Sequence, residues 1–283
     1  WMLLTLLLNL YVVRKIADIP GIVLPALAFP AVIVNIGHGH NGFLTASLLG
    51  GGLLMLGRNN QIAAGILIGL LAYKPQFAVL IPIALAAGHY WRAIIAAAIT
   101  VVLFAALSWI VLGAATWEGF FASTEFTRNI ILEQGATGWE KIQSVFSLVR
   151  GLGGGVSLAY FAQISATVVL AFMIFRLWCS EASFYTKAAG LVVASLAATP
   201  YVLDYDLIVL GLALIYLIAD GRKSGFLPWE KTLLAIAWVW PLCARSFAKL
   251  TMLQVTPLLL AALMYLIWIR MAKRESQTVP YVQ

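Results

Sequence analysis

The chain has 283 residues, 63% of them hydrophobic and 10% charged, with a formal net charge of +7 at pH 7. A soluble domain is roughly 25% charged, so this composition excludes an ordinary soluble fold and points to an all-α polytopic transmembrane protein in contact with the lipid bilayer. The basic residues sit at the ends of apolar runs, where they act as topology signals, and nucleic acid is not an expected partner.

Apolar runs fall at 1–13, 16–35, 42–57, 61–73, 76–88, 93–113, 156–176, 186–201, 205–219, 232–248 and 252–270, about eleven membrane segments, including short and broken helices, in a single domain over 1–283. None shows the alternating polarity of a membrane barrel, so all are expected to be helical. The first run opens on Trp1, already apolar and without a charged leader, and reads as the latter part of a span that begins upstream. In 16–35, Asp18 is expected to cap a helix with Pro20 in its first turn, and Pro25 and Pro30 to kink it. Cys179 and Cys243 lack metal-ligand spacing and read as packing residues.

The run from 61 to 88 is interrupted by Lys74-Pro75. A turn there puts Arg14, Lys15, Arg58, Arg92, Arg176, Lys187, Arg222, Lys223, Lys231, Arg270, Lys273 and Arg274 on one side, and Arg128, Lys141, Arg150, Arg245 and Lys249 on the other, twelve against five. A single crossing splits them eight against nine. The positive-inside bias therefore predicts a hairpin with its Lys74 tip on the non-cytoplasmic side and a cytoplasmic C-terminus. Each arm is too short to cross a bilayer unaided, since twelve helical residues rise only about 18 Å, so the tip is expected to line a wet cavity. Gly65 and Gly69 have the spacing that lets helices approach closely. The polar stretch at 114–155 is expected to be an extracytoplasmic loop with an amphipathic helix that presents Trp117, Phe120, Phe121 and Ile131 to the membrane interface.

A lysine inside a span costs on the order of 3 kcal/mol on insertion scales, which makes Lys74 the foremost candidate site residue. It reads either as a lysine snorkelling to the interface or as a cation facing an anionic group such as a phosphate, with Tyr73 and Gln76 flanking it. His38, His40 and Asn41 read as donors to a sugar or phosphate, or as a turn that caps the helix starting near Gly42; a metal site lacks a third ligand. In Thr199 to Asp206 the carboxylates of Asp204 and Asp206, two residues apart, face in different directions, so at most one enters a shared cavity.

The stretches Gly39-His40-Asn41-Gly42-Phe43-Leu44-Thr45-Ala46, Ala64 to Gln76, Trp91-Arg92-Ala93, Leu132-Glu133-Gln134-Gly135, Glu140 to Phe146 and Ala198 to Asp206 together resemble glycosyltransferase family 87. The resemblance implies a GT-C-type membrane enzyme that needs no cofactor or metal. Such an enzyme takes a hexose, typically mannose, from a polyprenyl-phosphate sugar donor and passes it to an extracytoplasmic glycan or glycolipid acceptor, here at a bacterial-type plasma membrane. It assigns the lipid phosphate to Lys74 and brings Arg128, Gln134 and Tyr201 among the substrate-binding candidates with Tyr73, Gln76, His38, His40 and Asn41. The family's candidate base, an Asp in the first external loop, falls upstream of Trp1. The catalytic residue within the chain is thus unassigned, with Asp204, Asp206 and Glu133 as substitutes. Relatives carry Gln where this chain has His40. Two other readings stay open: a transporter of an anionic or lipid-linked substrate, and a catalytically incomplete scaffold.

Overall fold

In the computed structural model, which describes residues 1–278, the helix α4 (Gly42–Gly57) forms the axis around which the other elements gather. Its glycines explain why. A Cβ on Gly50 would stand 2.8 Å from Leu212 in α12 (Leu210–Ser224) and 2.9 Å from Val12 in α1 (Met2–Ile16). One on Gly52 would stand 2.8 Å from Ile68 in α5 (Gln61–Gly69), and one on Gly57 2.8 Å from Phe184 in α11 (Phe184–Ala197). Four helices thus pack against bare backbone, the close approach that small residues permit where lipid supplies no hydrophobic drive.

The chain reverses at Lys74. Helix α5 tightens into a 3-10 turn at Leu70–Tyr73, and a second 3-10 turn at Pro75–Ala78 leads into α6 (Ile81–Ala87) and then α7 (Trp91–Leu112). Gly65 faces Ala93 and Ala96, while Gly69 faces Ala97 and Thr100, so α5 and α7 run parallel and the segment between them must run back. The proline removes a backbone donor and disfavours helical geometry at Lys74, which adopts φ −132°, ψ 68°.

Among the described residues, three helices are long and apolar enough to cross a membrane: Trp91–Leu112, Val156–Cys179 and Thr256–Ser276. The pair Glu230–Leu242 and Ala244–Thr251, bent by 73°, makes a fourth if it is one broken span. The remaining apolar runs are shorter or interrupted helices, broken at glycines and prolines. In 16–35 the expected single helix is two, α2 (Val23–Leu27) and α3 (Pro30–His38). Asp18 caps neither: α2 starts after Ile22 without a side-chain cap, and Pro30, not Pro20, occupies a first turn. The carbonyl of Pro25 accepts the indole N–H of Trp238 at 3.1 Å.

The 114–155 stretch is more helical than a loop. Helix α8 (Ala114–Phe126) passes into a π-helical turn at Thr127–Glu133 and, after a 3-10 turn at Trp139–Lys141, α9 (Val145–Gly151) leads to α10 (Val156–Cys179). Nothing in α8 is buried; Phe120 and Phe121 are exposed and cluster with Trp117.

The last helices are α13 (Glu230–Val239), α14 (Ala244–Thr251) and α15 (Thr256–Thr278). They close the two ends of the bundle differently. At one end Arg270 of α15, 8% exposed, pairs with Asp220 and Glu230, each at 2.6 Å, while Asp220 also accepts from Ser183 and Thr186. This end joins α11, α12, α13 and α15, and the helix termini there carry Arg58, Lys187, Lys223 and Lys231. The opposite end gathers the tip at Lys74, the turn after α3 and the segment before α12.

Candidate active site

The segment 199–203 leaves α11 extended and is pinned from the side. The Gln143 N–H donates to Val202 carbonyl at 2.7 Å, Ile142 bridges Leu203, and the buried Gln143 carboxamide oxygen accepts from Thr256 of α15. A 3-10 turn follows at Asp204–Val209. Because the two acids are two residues apart on this tight turn, their carboxylates diverge and each meets a different cation.

Asp206, 1% exposed, accepts Lys74 Nζ at 2.7 Å and the N–H of Leu203 at 3.2 Å. Lys74 is itself 8% exposed, with its ammonium 4.7 Å from the Tyr205 ring centroid and 5.7 Å from that of Phe77. Lys74 is therefore not a snorkelling lysine. It is a buried half of an ion pair packed between two aromatic rings, and only one of its three N–H donors is taken up by Asp206. Tyr73, the residue before it, bonds Thr45 of α4 through its hydroxyl at 2.6 Å and so fixes the tip against the axial helix.

Asp204 faces the other way. Its Oδ1 accepts the Tyr205 N–H at 2.9 Å, and its Oδ2 lies 3.6 Å from the Arg245 guanidinium of α14, too far for a hydrogen bond. Arg245 also donates to His38 Nε2 at 3.2 Å. His38 Nδ1 is 2.8 Å from the Val34 carbonyl, which assigns the ring proton to Nδ1 and leaves Nε2 as the acceptor. Gly39, at φ +68°, ends α3 in the left-handed region and turns the chain back, so that two histidines spaced i and i+2 stack instead of diverging. Their ring centroids are 5.8 Å apart, and His40 stacks on Tyr205 at 4.1 Å. Burial and the neighbouring His38 and Lys74 hold the His40 imidazole below the usual histidine range, despite the opposing pull of Asp206 and Asp204.

Asn41 precedes α4 but does not cap it with its side chain; its Oδ1 is buried without a partner. The turn is closed by Asn35, whose carboxamide is oriented to donate to the His40 carbonyl at 3.1 Å and accept from the Phe43 N–H at 3.2 Å. Tyr201 is half-buried beside Tyr205 and Asp206, and Gln76 is half-buried but takes no part in these contacts.

Arg128, Glu133 and Gln134 form no contact with this cluster. Glu133 accepts the Tyr160 hydroxyl at 2.9 Å, with the exposed Arg128 at 3.9 Å, and Gln134 is exposed. Arg150 ties this region to the site only indirectly: it donates to the Glu133 carbonyl and lies over Trp139, whose carbonyl accepts from Gln254. Among the described residues, no three His, Cys, Asp or Glu side chains are grouped as metal ligands.

Sequence reasoning missed Arg245, Tyr205 and Thr45. Arg245 carried the same signal as Lys74, a cation within an apolar run at 232–248, and the same argument about intramembrane charge singles it out. Tyr205 and Thr45 had no such signal, being ordinary residue types that become part of the site through packing.

The described residues form a helical bundle with three helices long and apolar enough to cross a membrane and, at one end, broken helices that bring opposed charges together. The family model for glycosyltransferase family 87 matches residues 1–203, and the chain belongs to that family of glycosyltransferases. The match ends one residue before Asp204, so Asp204, Asp206 and Arg245 lie outside the matched residues. No curated protein and no solved structure matches the chain.

Proposed function

We propose that this protein is an integral membrane glycosyltransferase of GT-C type that transfers a hexose, mannose in the first instance, from a polyprenyl-phosphate carrier to a glycan or glycolipid acceptor outside the cytoplasm. The observation that carries this reading is the Lys74–Asp206 pair at the tip of a broken hairpin, beside a second pair, Arg245 with Asp204, and two histidines. Buried charge at helix breaks is costly and is a functional hypothesis by default. The excess of basic helix termini at the opposite end supports an orientation with the site facing out of the cytoplasm, in a bacterial-type plasma membrane with a cytoplasmic C-terminus.

In this reading the two N–H donors of Lys74 not used by Asp206 contribute to binding the donor phosphate, with Tyr73, Tyr201, His38, His40 and Asn41 around it. The acceptor oxygen attacks the anomeric carbon while the carbon–oxygen bond to phosphate breaks, its electron pair leaving on the phosphate oxygen. Within this chain Asp204 is the carboxylate best suited to take the acceptor proton. Its Oδ2 has no hydrogen bond, whereas both oxygens of Asp206 are engaged and Glu133 lies in the separate cluster.

The test is transfer of radiolabelled mannose from polyprenyl-phosphate mannose in membranes bearing the full-length protein. Product formation that is lost in Lys74→Ala supports the reading. Turnover unchanged by Lys74→Ala removes Lys74 from the site, and counter-transport in proteoliposomes without a covalent product replaces the enzyme with a carrier.

A further inference from the structure

Toward the end of the bundle away from Lys74, a groove of about 480 Å³ opens sideways between α12 and α13, where Pro25 of α2 also reaches it. Apart from Lys231 its walls are apolar or aromatic, with Phe226, Leu234, Ala235 and Trp238 among them. Trp238 gives its one polar atom to the Pro25 carbonyl, at 3.1 Å, and lines the groove with its ring. One end of the groove is charged. Lys231 Nζ stands 4.9 Å from the Phe226 ring centroid and forms no ion pair among the described residues. The adjacent Glu230 is not available to it, because both carboxylate oxygens accept from Arg270, at 2.8 and 2.6 Å. Beside them Trp229 is 82% exposed, and a tryptophan so placed at the end of an apolar helix sits at headgroup level. From Lys231 to Val239 the helix rises about 12 Å, close to one leaflet of a hydrocarbon core roughly 30 Å thick. A slot of this volume and depth fits an extended acyl chain; it does not fit a helix, about 10 Å across and needing the whole core.

We infer that the groove between α12 and α13 seats one anionic phospholipid, with its phosphate on Lys231 and one acyl chain along Leu234, Ala235 and Trp238. That its leaflet is the cytoplasmic one rests on the orientation proposed above; the groove and its ligand do not. Basic residues between helices at that face attract anionic headgroups, whereas a zwitterionic headgroup brings a cation of its own to Lys231. The seat bears on the far end of the molecule through Trp238. Its indole joins α13 to α2, and its ring lies against Phe29, with centroids 6.4 Å apart. From Phe29 the chain runs through α3 to His38, while α13 leads through the 73° bend to α14 and Arg245, which donates to His38. A chain held in the groove thus braces the two elements that bring His38 and Arg245 together.

The test counts lipid by native mass spectrometry on the full-length protein released from nanodiscs that hold phosphatidylglycerol and phosphatidylcholine in equal amounts. The unmodified protein is expected to retain phosphatidylglycerol in preference to phosphatidylcholine. Lys231→Gln is expected to lower that retention about fivefold, the factor that corresponds to about 1 kcal/mol for a lysine near an anionic surface. Ala235→Phe fills the groove while leaving the charge in place, and a similar loss is expected. Arg58→Gln removes a basic residue at the same end but outside the groove, and is expected to change nothing. A loss in Arg58→Gln equal to that in Lys231→Gln, or full retention by either groove variant, marks diffuse surface attraction and overturns the seat. Phosphatidylcholine retained as readily as phosphatidylglycerol overturns the anionic ligand. No lipid on the unmodified protein, the result if a further segment or a partner covers the groove, overturns the inference outright. Mannosyl transfer measured on the same preparations separates the two claims: lipid retained without transfer leaves the seat and removes the enzyme reading, and transfer without retained lipid does the reverse.

Discussion

Lys74 and Asp206 remove two charges from water for a contact of 2.7 Å, and neither can lose its partner cheaply. Breaking a buried pair from one side leaves an uncompensated charge and costs about 3–5 kcal/mol, whereas replacing both members with apolar groups is often neutral. Lys74→Met is therefore expected to lower unfolding stability in detergent by roughly that amount, and Lys74→Met with Asp206→Leu to recover most of it. Denaturant unfolding of the three proteins checks this. His40 supplies a pH dependence. Its folded pKa lies below the histidine reference of 6.5, so the unfolded chain binds the proton more readily, and stability contributed by the neutral ring is present above that reference and lost as pH falls below it. The groups that face it are His38, Tyr205, Lys74, Asp204 and Asp206. A melting temperature that falls from pH 7.5 to pH 5.5, less steeply in His40→Gln, is the expected result. At this scale the sequence singled out Lys74, Asp204 and Asp206 without pairing any of them, and passed over Arg245. Lys74 stood out because a cation followed by proline interrupts an apolar run, but its partner lies 132 residues away, and nothing in spacing encodes a contact at that separation.

The elements explain where those residues meet. Helix α5 packs so closely on α7 that a Cβ at Gly69 would stand 2.6 Å from Thr100 and one at Gly65 2.6 Å from Ala96. Gly69→Ala is expected to cost about 1–3 kcal/mol by overpacking and to shift the hairpin tip that carries Lys74. Gly37, in α3, has nothing within 4 Å of its ideal Cβ, so Gly37→Ala is expected to be neutral or to stabilise by up to about 1 kcal/mol. Thermal unfolding of both variants tests the contrast. The spacing of Gly65 and Gly69 announced a close approach, and the turn at Lys74-Pro75 was legible from charge counting. The partner helix was not, because small residues mark an interface without naming its other face. Asp18 shows the opposite failure: an acid ahead of a proline fitted a cap locally, while the chain instead starts α2 at Val23, five residues later.

The molecule as a whole separates two kinds of buried charge. At one end Arg270 with Asp220 and Glu230 fastens α12, α13 and α15, every carboxylate engaged by hydrogen bonds. At the other, Lys74 is hydrogen-bonded to Asp206, while Asp204 and the part-exposed Arg245 remain at ion-pair distance without a hydrogen bond. The first arrangement holds helices; the second keeps groups available. Arg270→Met is expected to destabilise the protein by about 3–5 kcal/mol yet leave the donor KM of the folded fraction unchanged, which steady-state transfer assays measure. Composition and helical periodicity made the all-helical class readable, and the distribution of arginine and lysine separated the two ends. Short and broken helices were readable at Lys74-Pro75, where each arm is too short for a bilayer, but the breaks that split 16–35 into two helices were not placed.

The central claim is that the Lys74 end of the bundle is where glycosyl transfer occurs. The folded Lys74→Met, Asp206→Leu double variant tests it most directly, because it removes the charges while keeping the packing. Single-turnover transfer of mannose from polyprenyl-phosphate mannose is predicted to fall by about a hundredfold or more in that variant relative to the unmodified protein. Transfer at the unmodified rate by the folded double variant would contradict the claim.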